Sequence, residues 1–229
     1  MQAIGPPPQP AGYAPRTDLP RATSRGDGTR LWLVRHAEVA ERWHETAYGS
    51  MDVELSERGE AQTAAMGAAF EGRALARVLA SDLTRARRMG EGIARHSGAP
   101  IATTSALREM DRGEWQGLTK AEFIDRWHAD ADGYWSDPYR WHVPGGEGDE
   151  RLWLRSWPTV EAALLEAPGA ELAIAAHGQL IRVLTSRALG VDVPESYAFY
   201  LDPAHATCLV DGPDGWALEA VNLAPHELT

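Results

Sequence analysis

Three short apolar runs that break off at polar, chemically capable residues constrain this chain more than any other feature. Leu31-Trp32-Leu33-Val34 ends in Arg35-His36, Val78-Leu79-Ala80 leads through Ser81 and Asp82 to Arg85, and Leu172-Ala173-Ile174-Ala175-Ala176 ends in His177-Gly178. Near-continuous apolar strands are what a parallel sheet needs when helices cover both of its faces. Amphipathic stretches separate the runs, as crossover helices would. The expectation is an α/β fold whose mostly parallel central sheet gathers the three strand ends along one edge, where such sheets bind ligands.

The intervening segments carry their own start and stop signals. Ser56 reads as the cap of a helix with Ala61, Ala64, Ala65, Ala68 and Ala69 on a small-residue face. A helix over 83–96 should end at Gly98, with Pro100 beyond it and a short third strand at 101–103. Further helices are predicted over 119–128, 150–166 and 179–189, and strands over 31–35, 78–81 and 171–176. Residues 207–210 and 216–221 flank the turn-rich Asp211-Gly212-Pro213-Asp214-Gly215 and read as a terminal hairpin. No internal repeat is present.

Two segments stand apart. Residues 1–28 hold Pro6, Pro7, Pro8, Pro10, Pro15 and Pro20 without apolar periodicity and read as a flexible tail, the alternative being a prolyl segment that a partner recognises. A single domain is expected over 29–229. Within it, an excursion at about 110–148 carries Trp115, Trp127, Tyr134, Trp135, Tyr139 and Trp141. Aromatic residues at this density either cap a site or fill a peripheral mini-core.

Composition narrows the function classes. The 229 residues are 44% hydrophobic, enough for one sizeable core, and no run approaches the length of a membrane span. A formal charge of -11 argues against a general nucleic-acid binder and against an anionic membrane as partner. A phosphate site in so acidic a chain must be a local cluster of arginines acting at short range. Cys208, the one cysteine, has no disulfide partner within the chain and reads as core, which fits a reducing cytoplasm. His44-Glu45 has no second histidine at zinc-binding spacing, so no metal site is expected.

Arginine beside histidine suits phosphate chemistry, because a guanidinium fork holds two oxygens while a neutral imidazole attacks phosphorus. A structural histidine at a strand end is the competing reading of that pair alone. The wider sequence resembles the histidine phosphatase superfamily, and in particular its phosphatase branch, which includes α-ribazole phosphatases and broad-specificity phosphatases. The resemblance runs from Leu31 to about Leu189. It rests on Arg35-His36-Ala37-Glu38, the glycine loop and helix entry over 49–59, and Ser81-Asp82-Leu83-Thr84-Arg85-Ala86. It rests also on the acid-loop pattern over 107–117, on Pro144-Gly145-Gly146-Glu147 and on Ala176-His177-Gly178.

The resemblance implies a three-layer α/β sandwich of the phosphoglycerate mutase type, with a Trp-rich cap insertion. It implies no cofactor and no metal. His36 would be the nucleophile and Glu109 the proton donor, with Asp111, Glu114 and Glu38 as other carboxylates nearby in sequence. Arg35, Arg85 and His177 would hold the phosphoryl oxygens, with Gly49 in the substrate loop. The chain departs from the family pattern at Ala37, Arg42, Tyr48 and Gln179, where glycine, asparagine, threonine and glycine are usual. Arg42 is then either a second anion contact or a solvated arginine.

The expected activity is metal-independent hydrolysis of a small phosphomonoester through a phosphohistidine. A bisphosphate-dependent phosphoglycerate mutase would use the same residues, and a catalytically silent phosphate sensor would use the same pocket. The acid loop and the Pro-Gly-Gly-Glu segment lean toward the phosphatase. The leaving alcohol and the oligomeric state are not encoded legibly.

Overall fold

The computed structural model describes residues 5–198 and 200–228. A six-stranded sheet has the order β3-β2-β4-β1-β5-β6, with β1 (Arg30–Arg35), β2 (Leu75–Ser81), β3 (Ile101–Thr104) and β4 (Glu171–Ala176) mutually parallel. β5 (Ala206–Gly212) runs antiparallel to β1 and pairs with β6 (Gly215–Leu223) as the expected hairpin. The expected three-layer α/β sandwich with a mostly parallel sheet is the fold observed.

Alternation along the strands builds two cores. Leu31 and Leu33 point into one with Leu172 and Ile174, packed by α5 (Asp149–Glu166) and α6 (Gly178–Leu189). Trp32 and Val34 point into the other with Ala173, Ala175 and Cys208, packed by α1 (Glu57–Ala68) and α2 (Thr84–Ser97). At about 25 cal/mol per Å² of apolar surface removed from water, such clusters dominate the folding free energy. Among the described residues no helix is long and apolar enough to cross a membrane.

The helix ends predicted at Ser56 and Gly98 form as chemistry requires, and a further cap forms at Thr119. Ser56 accepts a hydrogen bond from the Gly59 N–H at 2.9 Å, and Gly98 closes α2 in the left-handed conformation at φ 74°. Thr119 and Glu122 cap α3 (Lys120–Ala129) reciprocally. One element escaped the sequence: α4 (Ala131–Ser136), only six residues long and too short for helical periodicity to register.

The aromatic excursion forms its own cluster, in which Trp115, Phe123, Trp127, Tyr134 and Val143 are buried together. Trp127 and Trp141 stack with centroids 6.1 Å apart. The peripheral mini-core is therefore present, and Phe123 and Trp127 also line the cavity of the candidate site.

The reading of residues 1–28 as a free tail does not match the placement of residues 13–28, which lie against the body. Leu19 and Ala22 are buried, and Trp216 donates its indole N–H to the Thr23 carbonyl at 3.0 Å. The Tyr13 hydroxyl donates to the buried Asp192 at 2.5 Å, and Arg16 grips Asp137 through two bonds of 3.0 and 2.9 Å. Composition missed this because two apolar side chains and a few polar anchors hold an extended strand without any periodicity. Residues 1–4 of the segment lie outside the described residues.

Candidate active site

The parallel arrangement of β1, β2 and β4 brings the three strand ends together, as their apolar runs implied. His36 and His177 lie with ring centroids 5.2 Å apart, although 141 residues separate them in the chain. His177 precedes α6, and Arg85 stands in the first turn of α2. All are buried: His177 and Arg85 are fully inaccessible, His36 is 3% exposed and Arg35 is 8% exposed.

Each group is held for a physical reason. The His36 Nδ1 lies 2.8 Å from the Ala37 carbonyl oxygen, which can only accept, so Nδ1 carries the proton and Nε2 is left with its lone pair. Burial first, and then the Arg85 and Arg35 guanidiniums, hold this imidazole well below its ordinary titration range. Burial, Arg85 and His36 lower His177 in the same way, and neither of its nitrogens has a hydrogen-bond partner among the described residues. Two neutral, underused imidazoles next to two guanidiniums form a cradle short of acceptors.

The loop over 48–51 carries Arg85 from below. Its guanidinium donates to the Met51 carbonyl at 2.7 Å and the Gly49 carbonyl at 2.8 Å, while Nε has no partner. Gly49 is required there. Its φ is +44°, and a Cβ would stand 2.7 Å from Arg112 Cγ and 2.9 Å from the Met110 carbonyl oxygen. Arg35 donates to the Leu201 carbonyl and keeps its Nε unpaired.

Glu109 sits at the start of α6. Its Oε2 accepts from the Gln179 N–H at 3.0 Å, and Oε1 accepts from Met110 at 2.9 Å and Leu180 at 3.3 Å. The helix N-terminus thus fixes a carboxyl group on the wall of the cavity. Behind it, Arg155 donates to the Ala106, Arg108 and Glu109 carbonyls and grips Glu147 at 2.8 Å. Glu147 in turn accepts from the Asp111 N–H at 3.1 Å, so the Pro-Gly-Gly-Glu segment braces the acid loop from outside.

The cavity beside these groups holds about 130 Å³ and is bordered by Arg35, Tyr48, Gly49, Glu109, Gly178 and Gln179. Arg112, Lys120 and Arg182 also line it, together with the aromatic residues Phe123, Trp127 and Tyr197. His36 opens on a neighbouring cavity of about 30 Å³ that shares Arg35 and Tyr48 with the larger one. Tyr48, over which Arg85 lies at 5.1 Å, therefore borders both the His36 cavity and the larger one.

Arg42 does not join this group. It lies on a short turn over Glu41–Trp43, 70% exposed in its side chain, paired with Glu54 at 2.8 Å and resting over the Trp43 ring. The solvated reading of Arg42 is the one observed. The second set of cations is instead Arg112, Lys120 and Arg182, which the sequence argument did not single out. A signal existed for Arg182, three residues after Gln179 on the same face of α6.

Comparison with known proteins places the chain in a family. The sequence profile of the histidine phosphatase superfamily (branch 1) matches residues 31–224. The chain belongs to that superfamily. It is 32% identical to the glucosyl-3-phosphoglycerate phosphatase of Mycolicibacterium vanbaalenii over 171 residues, 72% of this chain and 76% of that protein. A 2,3-bisphosphoglycerate-dependent phosphoglycerate mutase of Beijerinckia indica is also 32% identical, over 67% of this chain and 78% of its own.

The solved structure of a mycobacterial glucosyl-3-phosphoglycerate phosphatase superposes with a TM-score of 0.73 at 28% identity, covering 84% of this chain and 98% of that one. A putative α-ribazole-5'-phosphate phosphatase from Escherichia coli shares the fold, with a TM-score of 0.72 at 20% identity over 86% of this chain and 97% of its own. This histidine phosphatase is accordingly a phosphatase-type hydrolase.

Proposed function

We propose that the protein hydrolyses a small phosphomonoester through a phosphohistidine on His36. The observation that carries this reading is the neutral His36 with a free Nε2, set 5.2 Å from the unpartnered His177 ring between Arg35 and Arg85. A phosphoryl group entering between Arg35 and Tyr48 meets Nε2 in a surround of donors. The Nε2 lone pair forms the N–P bond as the P–O bond to the alcohol breaks. Charge building on the equatorial oxygens is met by Arg35, Arg85 and a His177 N–H, the kind of fixed donor set that supplies most phosphoryl-transfer catalysis.

Glu109 gives its proton to the leaving oxygen, a step that contributes about 10²- to 10⁴-fold for a poor leaving group. It then takes a proton from the water that attacks phosphorus, and the N–P bond breaks to restore neutral His36. The Ala37 carbonyl holds the Nδ1 proton throughout, stabilising the cation of the intermediate. No step needs a metal, and two guanidiniums beside the nucleophile repel a divalent cation.

The outer cations assign chemistry to the alcohol. Arg112, Lys120 and Arg182 line the cavity of a chain whose net charge is -11. Such local concentration supports a leaving group bearing a second anion, for instance a carboxylate. A phosphoglycerate core carries one, and relatives are named for that substrate. The aromatic excursion then acts as the outer wall of the site.

A phosphate-release screen over phosphorylated metabolites, run with EDTA, tests the proposal. Turnover should survive the chelator and fall by more than 10³-fold in His36→Ala, with an acid-labile phosphoprotein trapped during wild-type turnover. Full activity in His36→Ala would end the assignment. The relationship to a phosphoglycerate mutase keeps a second reading in view, and dependence of turnover on added 2,3-bisphosphoglycerate would favour it.

A further inference from the structure

Beside the cavity of about 130 Å³ lies a smaller chamber of about 20 Å³, and the two share Arg112, Trp127, Gln179 and Tyr197 as walls. That volume accepts one water-sized group. Its walls hold unused hydrogen-bonding capacity. Asp149, 5% exposed, accepts from the Gln179 side-chain N–H at 2.8 Å through Oδ1 and takes no other side-chain hydrogen bond among the described residues. Trp127, 4% exposed, buries an indole N–H that has no hydrogen-bond partner among the described residues. Tyr134 and Trp141 supply aromatic surface around them.

A buried donor left unpaired costs about 1–3 kcal/mol, so this arrangement is one a ligand can repair. A carboxylate oxygen accepts, and an indole N–H donates. Within a one-atom volume, the groups that satisfy both at once are a water or, on a bound ligand, an alcohol hydroxyl. An ammonium could not accept from Trp127, and it would meet the positive charge of Arg112 and Arg187 near Asp149. A carboxylate would face Asp149 itself.

We propose that the Asp149–Trp127 chamber is a specificity site that receives a hydroxyl of a polyhydroxylated, sugar-like leaving group. This rests on the phosphomonoesterase reading for the position of the scissile phosphate. Aromatic faces alongside hydroxyl-directed carboxylates suit the mixed apolar and polar surface of a sugar ring. Gln179 joins the chamber to the reacting end of the cavity. Its side-chain N–H binds Asp149, its amide oxygen accepts from the Tyr197 hydroxyl at 2.8 Å, and its backbone N–H binds Glu109.

The test compares kcat/KM on glucosyl-3-phosphoglycerate with kcat/KM on 3-phosphoglycerate, which lacks the sugar, using the full chain. Wild type should prefer the glycosylated ester. In Asp149→Asn and Trp127→Phe that preference ratio should fall tenfold or more, because a site built to pair a hydroxyl discriminates by that pairing. Calorimetric binding of the dephosphorylated product, glucosylglycerate, to His36→Ala gives a second readout that needs no turnover. The affinity should fall tenfold when Asp149→Asn is added.

An unchanged ratio and unchanged product affinity in both variants would overturn the proposal and leave the chamber to an ordered water only. A wild type without preference for the glycosylated ester would overturn it as well. Equal losses on both esters would make Asp149 a structural support for Glu109, acting through Gln179, and would also overturn it. Failure of all esters to release phosphate, with product binding that responds to Asp149→Asn, would instead sink the hydrolase reading alone.

Discussion

Acidification should destabilise this protein between pH 7 and 5.5, and His36 and His177 should account for most of the loss. Both imidazoles are held below their ordinary value of 6.5 in the folded state, first by burial and then by the guanidiniums around them. The unfolded chain has no such restraint. As pH falls below 6.5, the unfolded state binds protons that the folded state refuses, so unfolding gains free energy. If the folded imidazoles stay neutral throughout, each costs about 1.2 kcal/mol of stability over that interval.

Asp149 works in the opposite direction. Burial pushes its carboxyl up to about 6, from an ordinary value of 3.8, so the folded state binds this proton before the unfolded state does. It returns about 0.8 kcal/mol over the same interval, leaving a net loss of about 1.6 kcal/mol. Urea unfolding at half-unit steps of pH measures this directly. His36→Gln should show about half of the wild-type imidazole loss, and Asp149→Asn should show a steeper total loss than wild type. A flat wild-type profile, or a His36→Gln profile as steep as wild type, would mean that the folded cradle accepts protons, and the neutral-nucleophile argument would fail with it.

Other perturbations separate the roles of named contacts. Arg42→Ala should leave kcat/KM within twofold of wild type on any active ester, since its partner Glu54 and its turn are outside the site. Arg155→Ala should lower stability by about 2 kcal/mol in urea titrations and reduce kcat more than tenfold, because it frees the Glu109 loop and strands Glu147. Tyr13→Phe should cost about 1–3 kcal/mol by leaving the buried Asp192 short of a donor, and limited proteolysis should then cleave within residues 5–28 first.

The cradle was legible because strand ends are a linear signal. An apolar run declares a buried strand, and the residue that follows it must emerge at the ligand-binding edge whatever the rest of the chain does. Arg35, His36, Arg85 and His177 could be gathered on that ground, and the family pattern supplied Glu109. The outer site obeys no such rule. Arg112, Lys120 and Asp149 reach their cavities from loops and helix starts whose course is set by tertiary packing, and Arg42 carries the same charge as Arg112 yet points to solvent.

The same distinction explains the N-terminal segment. Its anchors, Tyr13 and Arg16, are meaningful only once Asp192 and Asp137 have been delivered from elsewhere in the chain. Asp137 follows α4 in the aromatic excursion, and Asp192 lies between α6 and the turn that carries Tyr197. One extended segment therefore ties the aromatic excursion, through Asp137, to the loop after α6, through Asp192. What a proline-rich composition presents as loose chain is, in this fold, a segment strapped to the aromatic excursion and to the loop after α6.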